Sequence, residues 1–207
     1  MPNHDWNETY KIGDLPWDIG NPDEHLINLI ESKTISPCRT LEVGCGTGTN
    51  SLWLARHGFS VLGVDMAQAA VDLANAKKKD KSLTCEFAVM DFLQNQSLPQ
   101  SFEFVFDRGC FHVFDEDSER FTFAAQVSRV LKTNGIWVSL IGSTEGGPRD
   151  SGPPRRTAIE VIKAIEPHLE ILELRSVSFQ SNHPYSAKAW LCMTRKREEP
   201  AQPSTRH

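Results

Sequence analysis

No stretch of this sequence approaches the ~18 consecutive apolar residues that a membrane span requires, and the opening MPNHDWNETY is polar where a signal peptide would be apolar. No membrane association is expected, and the cytoplasm is the expected compartment. Cysteines are few and scattered (38, 45, 85, 110 and 192), with no C-x-x-C pair and no zinc-type histidine spacing. Neither structural disulfides nor a metal site are expected. Basic excess is missing too: 22 Lys and Arg stand against 27 Asp and Glu, a net charge of −5. A nucleic-acid partner would call for a basic face, and the one basic run in the middle, AKKKDK at 76–81, reads as a solvated helix end. Internal repeats are absent, as is any linker long enough to divide domains.

What is present is a core-forming chain of 207 residues, 39% hydrophobic, in which short apolar runs alternate with helical patterns. Residues 39–43, 60–64, 83–89, 102–107 and 135–141 read as strands, near-continuously apolar as in a sheet covered on both faces. Helices are expected over 48–57, with Gly58 as a left-handed stop, over 67–79, and over 116–131. In the last of these Phe121, Ala124, Ser128 and Leu131 form one 3.6-period stripe. An N-terminal helix with Asn21 as its cap and a helix opened by a Thr157/Glu160 capping box complete the set. Two β-like runs follow at 169–179 and 186–194. Alternating β and α indicates a doubly wound α/β sheet, Rossmann-like, with an antiparallel finish. Residues 21–195 would form the single domain, 1–20 a covering segment and 196–207 a disordered tail.

The most informative segment is LEVGCGTGTN at 41–50, a strand running through a Gly-rich turn into a helix. Glycines let a ligand approach the backbone closely, and the helix start offers free N–H groups. The dinucleotide fingerprint G-x-G-x-x-G fails here, because the third glycine falls one place early at Gly48. Glu42 just before the turn would also repel a pyrophosphate. Asp65 ends the second strand, where a carboxylate accepts from both ribose hydroxyls. Asp91 ends the third, where a carboxylate or a neighbouring amide reads an adenine edge. Met66, Met90 and Phe92 offer apolar walls for the ring. Acids on successive strand ends, with no phosphate to neutralise, describe a site for a cationic adenosine compound.

E-V-G-C-G-T-G, then G-V-D, then M-D-F, resembles the class I S-adenosylmethionine-dependent methyltransferases, over about residues 17–195. LPWDIGNPDEHL, FDRGCFH and GPPRRTAIEVI are similar to the thiopurine and tellurite-resistance-type small-molecule methyltransferases. The resemblance implies a seven-stranded sheet of order 3-2-1-4-5-7-6 with the last strand antiparallel, and S-adenosylmethionine as cofactor. It places Gly44, Cys45, Gly46 and Gly48 against the methionine part, Asp65 on the ribose, and Met66, Asp91 and Phe92 about the adenine. It sets Asp107, Arg108 and Phe111 at the strand-4 end facing the reacting methyl, with Trp17 and Asp18 in an N-terminal segment folded over the cofactor.

The expected reaction is methylation of a small-molecule sulfur, oxygen, nitrogen or chalcogen nucleophile. Asp107 and His112 are the candidate bases for an oxygen or nitrogen acceptor; a thiolate needs little base. Phe111, Phe114 and Trp17 are candidates for an apolar acceptor slot. The Gly/Pro-rich stretch 142–156 is a candidate rim or lid, in which solvated arginines at 149, 155 and 156 are the expectation. The alternatives are a cofactor-binding module without catalysis and, further off, a nucleotide-dependent oxidoreductase. Either a monomer or a weak homodimer fits this composition.

Overall fold

A computed structural model describes residues 4–147, 152–182 and 186–198. Its sheet has seven strands: β1 (Arg39–Val43), β2 (Ser60–Asp65), β3 (Cys85–Val89), β4 (Phe102–Arg108), β5 (Leu131–Gly142), β6 (Glu170–Ser178) and β7 (Lys188–Arg195). The order is β3-β2-β1-β4-β5-β7-β6, with β7 antiparallel to both β5 and β6. The chain order reverses between β1 and β4, which opens a crevice at the carboxyl ends of those strands. The six helices are α1 (Trp6–Ile12), α2 (Glu24–Glu31), α3 (Thr49–Arg56), α4 (Gln68–Lys77), α5 (Asp117–Val130) and α6 (Ala158–Ile165). No helix among the described residues is long and apolar enough to cross a membrane.

Both faces of the sheet are buried, which explains the continuous apolar strands. Leu41, Val43 and Val105 join α5 and α6 residues in one core, whereas Phe104, Phe106 and Val138 join α2 and α3 residues in the other. Gly58 is left-handed at φ 86°, as its place after α3 requires. Thr157 and Glu160 make the reciprocal capping box at the start of α6.

Several expectations are corrected. The cap of α2 is Asp23 and not Asn21: the Asp23 carboxylate accepts from the His25 N–H at 2.9 Å. On α5 the buried stripe is Arg120, Phe123, Ala124, Val127 and Val130, and Phe121 is 44% exposed. The two phenylalanines are two residues apart, about 200° around a helix, so only one can face the sheet. Residues 196–198 are ordered: the Lys196 N–H bonds the Gly135 carbonyl and Arg197 pairs with Glu166. Residues 199–207, together with Arg149 and part of the 142–156 loop, lie outside the described residues.

Candidate active site

The turn after β1 carries three left-handed residues, Gly44 (φ 66°), Gly46 (φ 53°) and Gly48 (φ 76°). Space excludes any larger side chain as well. A Cβ on Gly48 would lie 2.6 Å from the Phe87 ring, one on Gly44 2.8 Å from Cys110 Cβ, and one on Gly46 2.9 Å from the Tyr10 hydroxyl. The turn is thus pressed between β3, the segment after β4, and α1. Asp65 braces it from below, accepting from the Gly46 N–H at 3.0 Å and the Ala67 N–H at 2.9 Å. Two bonds leave a carboxylate with further acceptor capacity, and Met66 beside it is 56% exposed. A left-handed turn, a strand-end carboxylate with spare lone pairs and an exposed thioether beside it fit the methionine and ribose ends of S-adenosylmethionine.

Carboxylates dominate the electrostatics. Burial, then Asp107, Asp65 and Asp91, push the Cys110 thiol well above its ordinary range, so it is a neutral wall and not a nucleophile. Cys45, also buried, is pushed up likewise, chiefly by burial. Glu42 is buried beneath the turn, where Ser51 donates to one oxygen and Asn50 Nδ2 to the other at 3.0 Å. Burial raises its pKa to about 7. Glu42 therefore secures the first turn of α3. Asp91 is exposed and accepts from the Leu93 N–H at 3.0 Å, closing its own turn. Met90 is half-buried, its N–H donating to the Asp65 carbonyl at 2.8 Å.

Two aromatic expectations shift inward. The Phe92 and Phe111 rings meet the Phe123 ring edge-on, at 5.1 and 5.7 Å, inside the core. Their contribution is packing below the crevice. Asp107 is fully buried and accepts from the Cys110 N–H (3.2 Å), the Phe111 N–H (3.0 Å) and Trp137 Nε1 (2.9 Å). Burial still lifts its pKa to about 6. His112, 4% exposed, accepts the Gly142 N–H at Nδ1 (2.6 Å). The neutral ring then carries its proton on Nε2, the opposite of a ready acceptor. Of the two candidate bases, Asp107 carries three bonds and His112 has its Nδ1 occupied.

The N-terminal segment lies against the Gly turn. Asp18 accepts from Thr47 Oγ1 at 2.5 Å, and Lys77 Nζ stands 3.6 Å from the same carboxylate oxygen. Those bonds and Lys77 hold the Asp18 carboxyl below its usual range against the opposing cost of burial. Lys77, expected in solvent, is instead part of this anchor. Trp17 is 37% exposed and meets Trp6 and Tyr10 edge-on at 6.0 and 6.2 Å. Tyr10, which by sequence alone could belong to a mobile lid or a frayed end, has its ring buried over Gly46 and its phenol pushed upward by burial and by Asp65.

Beyond β4 the wall is built by arginines. Arg156 is buried, where a solvated side chain was expected; it donates to the Phe114 carbonyl at 2.8 Å and Asp115 Oδ1 at 2.9 Å. Arg120, also buried, donates to the carbonyls of Phe114 (2.6 Å) and Asp115 (2.7 Å). The Arg120 bonds span only six and five residues, whereas nothing in the local sequence of Arg156 marks partners 42 and 41 residues away.

A methyltransferase domain model matches residues 40–135, from β1 into β5. This chain is a class I S-adenosylmethionine-dependent methyltransferase. A probable thiol methyltransferase of Arabidopsis thaliana is 27% identical over 74% of this chain and 67% of its own. A 2-heptyl-1-hydroxyquinolin-4(1H)-one methyltransferase of Mycobacteroides abscessus is 32% identical over 67% of this chain and 61% of its own. Among solved structures, one concerned with the conversion of a disulfide bond into a thioacetal group during echinomycin biosynthesis superposes with TM-score 0.78. It is 25% identical and covers 88% of this chain and 86% of that one. S-adenosylmethionine is the methyl donor of this methyltransferase.

Proposed function

We propose that this methyltransferase acts on a small, soft nucleophile, a thiol or comparable anion that reaches the site already ionised. The observation that carries this is the state of the two candidate bases: Asp107 accepts three hydrogen bonds and His112 Nδ1 is taken by the Gly142 N–H. An acceptor needing deprotonation would have to use Asp107, which is fully buried and bonded at both oxygens, or His112, whose Nδ1 is occupied. The similarity to a thiol methyltransferase agrees.

When bound, S-adenosylmethionine supplies an electrophilic methyl on a good leaving group. The chain contributes alignment and exclusion of water. Gly44, Cys45, Gly46 and Gly48 would hold the methionine portion, Asp65 the ribose, and Met66, Met90 and Asp91 the adenine region, with Phe92 packed beneath it. Asp107 is a positioning group that fixes the Cys110–Phe111 backbone behind the acceptor. Five free thiols suit a reducing cytoplasm, and the net charge of −5 suits a small acceptor better than a nucleic acid.

The test is a pH–rate profile with two thiols of different acidity. Each kcat/KM profile is expected to rise with its own acceptor's ionisation. One shared pKa for both would mean that a protein group takes the proton, and the assignment would fail. The quinolone methyltransferase similarity supplies the control acceptor, a hydroxylated heteroaromatic, expected to turn over more slowly at neutral pH.

A further inference from the structure

Arg108 is engaged at all three guanidinium nitrogens. Nε donates to Asp23 Oδ2 at 2.6 Å, Nη1 to the Trp17 carbonyl at 3.2 Å, and Nη2 to the Gln180 carbonyl. The guanidinium also stands 5.2 Å from the centre of the Phe179 ring. One side chain at the end of β4 thereby joins the N-terminal segment, the cap of α2 and the β6–β7 connection. The pair is shielded, with side-chain exposures of 11% for Arg108 and 0% for Asp23. From Asp23 the bonding runs on: its N–H donates to Asn50 Oδ1 at 2.9 Å, and Asn50 Nδ2 donates to Glu42 beneath the Gly turn at 3.0 Å.

The segment so held has no secondary structure of its own and depends on side-chain and loop contacts. Residues 14–19 lie between two left-handed glycines, Gly13 (φ 81°) and Gly20 (φ 73°), each with open space where a Cβ would project. They contain no helix or strand. Their attachments are Asp18 on Thr47 and Lys77, the Trp17 ring on Trp6 and Tyr10, Leu15 on the Tyr10–Ala67–Ala70 cluster, the Pro16 and Asp18 carbonyls on Asn182 at 3.1 Å each, and the Trp17 carbonyl on Arg108, which alone ties the segment to β4.

We propose that Arg108 and Asp23 form a clasp that positions residues 14–20 against the Gly turn, so that Arg108 governs cofactor retention without touching the reacting groups. This rests on the assignment of the Gly turn as the cofactor site. Arginine suits the task because its planar fork serves a carboxylate and two carbonyls at once, which the point charge of lysine does not.

Two mild variants test it. Arg108→Lys keeps the charge, and Asp23→Asn keeps an equally good helix cap. Hydrogen–deuterium exchange of residues 13–20 in the free protein reports the clasp, and stopped-flow dissociation of S-adenosylhomocysteine reports retention. Both variants are expected to exchange faster in that segment. Dissociation is expected to accelerate about ten- to a hundredfold, the span of a lost hydrogen bond to a charged group. The KM for the acceptor at saturating donor should hardly move, whereas the melting temperature should fall in Asp23→Asn, which leaves the shielded Arg108 charge without its carboxylate. Unchanged exchange in both variants overturns the clasp. So does faster exchange with unchanged dissociation, and a raised acceptor KM with unchanged dissociation would give Arg108 to the acceptor instead. Failure of the wild-type protein to bind S-adenosylhomocysteine would overturn the cofactor site itself, and retention by the clasp with it.

Discussion

The β1–β3 half of the crevice and the β4–β7 half are built by different means. The first half is local: three glycines within five residues, an acid at each of two strand ends, and backbone N–H groups that answer Asp65 within two residues and nineteen. The second half is assembled across long separations. Arg108 reaches 72 and 85 residues away to Gln180 and Asp23, and Arg156 reaches 41 and 42 to Asp115 and Phe114. A cofactor common to many enzymes is met by a compact motif, whereas the acceptor side has to be shaped by whichever segments the topology brings together.

The contrast is broken most severely at Gly48. Gly48→Val combines a left-handed backbone with a Cβ 2.6 Å from the ring of Phe87, a β3 residue that also packs against Gly63 of β2. Destabilisation of about 3–5 kcal/mol is expected from strain plus overpacking, read by urea denaturation. A loss below 1 kcal/mol would mean that the turn is loose.

Next in size is a pH effect that separates the halves. Glu42 has a folded pKa of about 7 against an ordinary 4.5, and Asp107 about 6 against 3.8. In each case the folded state holds its proton longer than the unfolded chain does. Stability therefore falls as pH rises through the interval and stays reduced above it, by about 3 kcal/mol for each group. Glu42→Gln should flatten the decline between pH 6 and 7, whereas Asp107→Asn should leave that upper part in place. Identical curves for the two variants would contradict the separation.

Asp65→Ala should weaken S-adenosylhomocysteine binding by roughly 1.5–3 kcal/mol in calorimetry, with little effect on acceptor KM; unchanged affinity would remove Asp65 from the ribose. The smallest effect is expected at Arg156. In Arg156→Leu, Phe114 keeps its bond from Arg120 at 2.6 Å, and half-exposed Asp115 returns to water. About 1 kcal/mol of stability is expected to be lost, accompanied by a raised acceptor KM and unaltered cofactor affinity. A change in cofactor affinity instead would merge the two halves.

What was legible follows the same division. Strand positions, the α6 capping box, the Gly turn and the Asp65 position were readable because each depends on neighbours in sequence. Asp23 as the α2 cap was missed because the adjoining Asn21-Pro22 pair offers an equally good local start. Phe121 and Phe123 were exchanged because periodicity alone does not say which of two phenylalanines meets the sheet. Tyr10, Lys77 and Arg156 gave no signal, since each acts through a partner 30 or more residues away.

By itself the sequence determined a Rossmann-like sheet and a Gly turn suited to an adenosine-bearing donor, both properties of short segments with fixed backbone preferences, and its motifs carried the resemblance to the methyltransferases. Only the tertiary structure decided that Asp107 is buried and bonded at both oxygens, that His112 Nδ1 is occupied by the Gly142 N–H, and that Arg108 fastens the N-terminal segment. The protonation and reach of those side chains depend on hydrogen-bond partners and burial, and those exist only once distant strands and helices have come together.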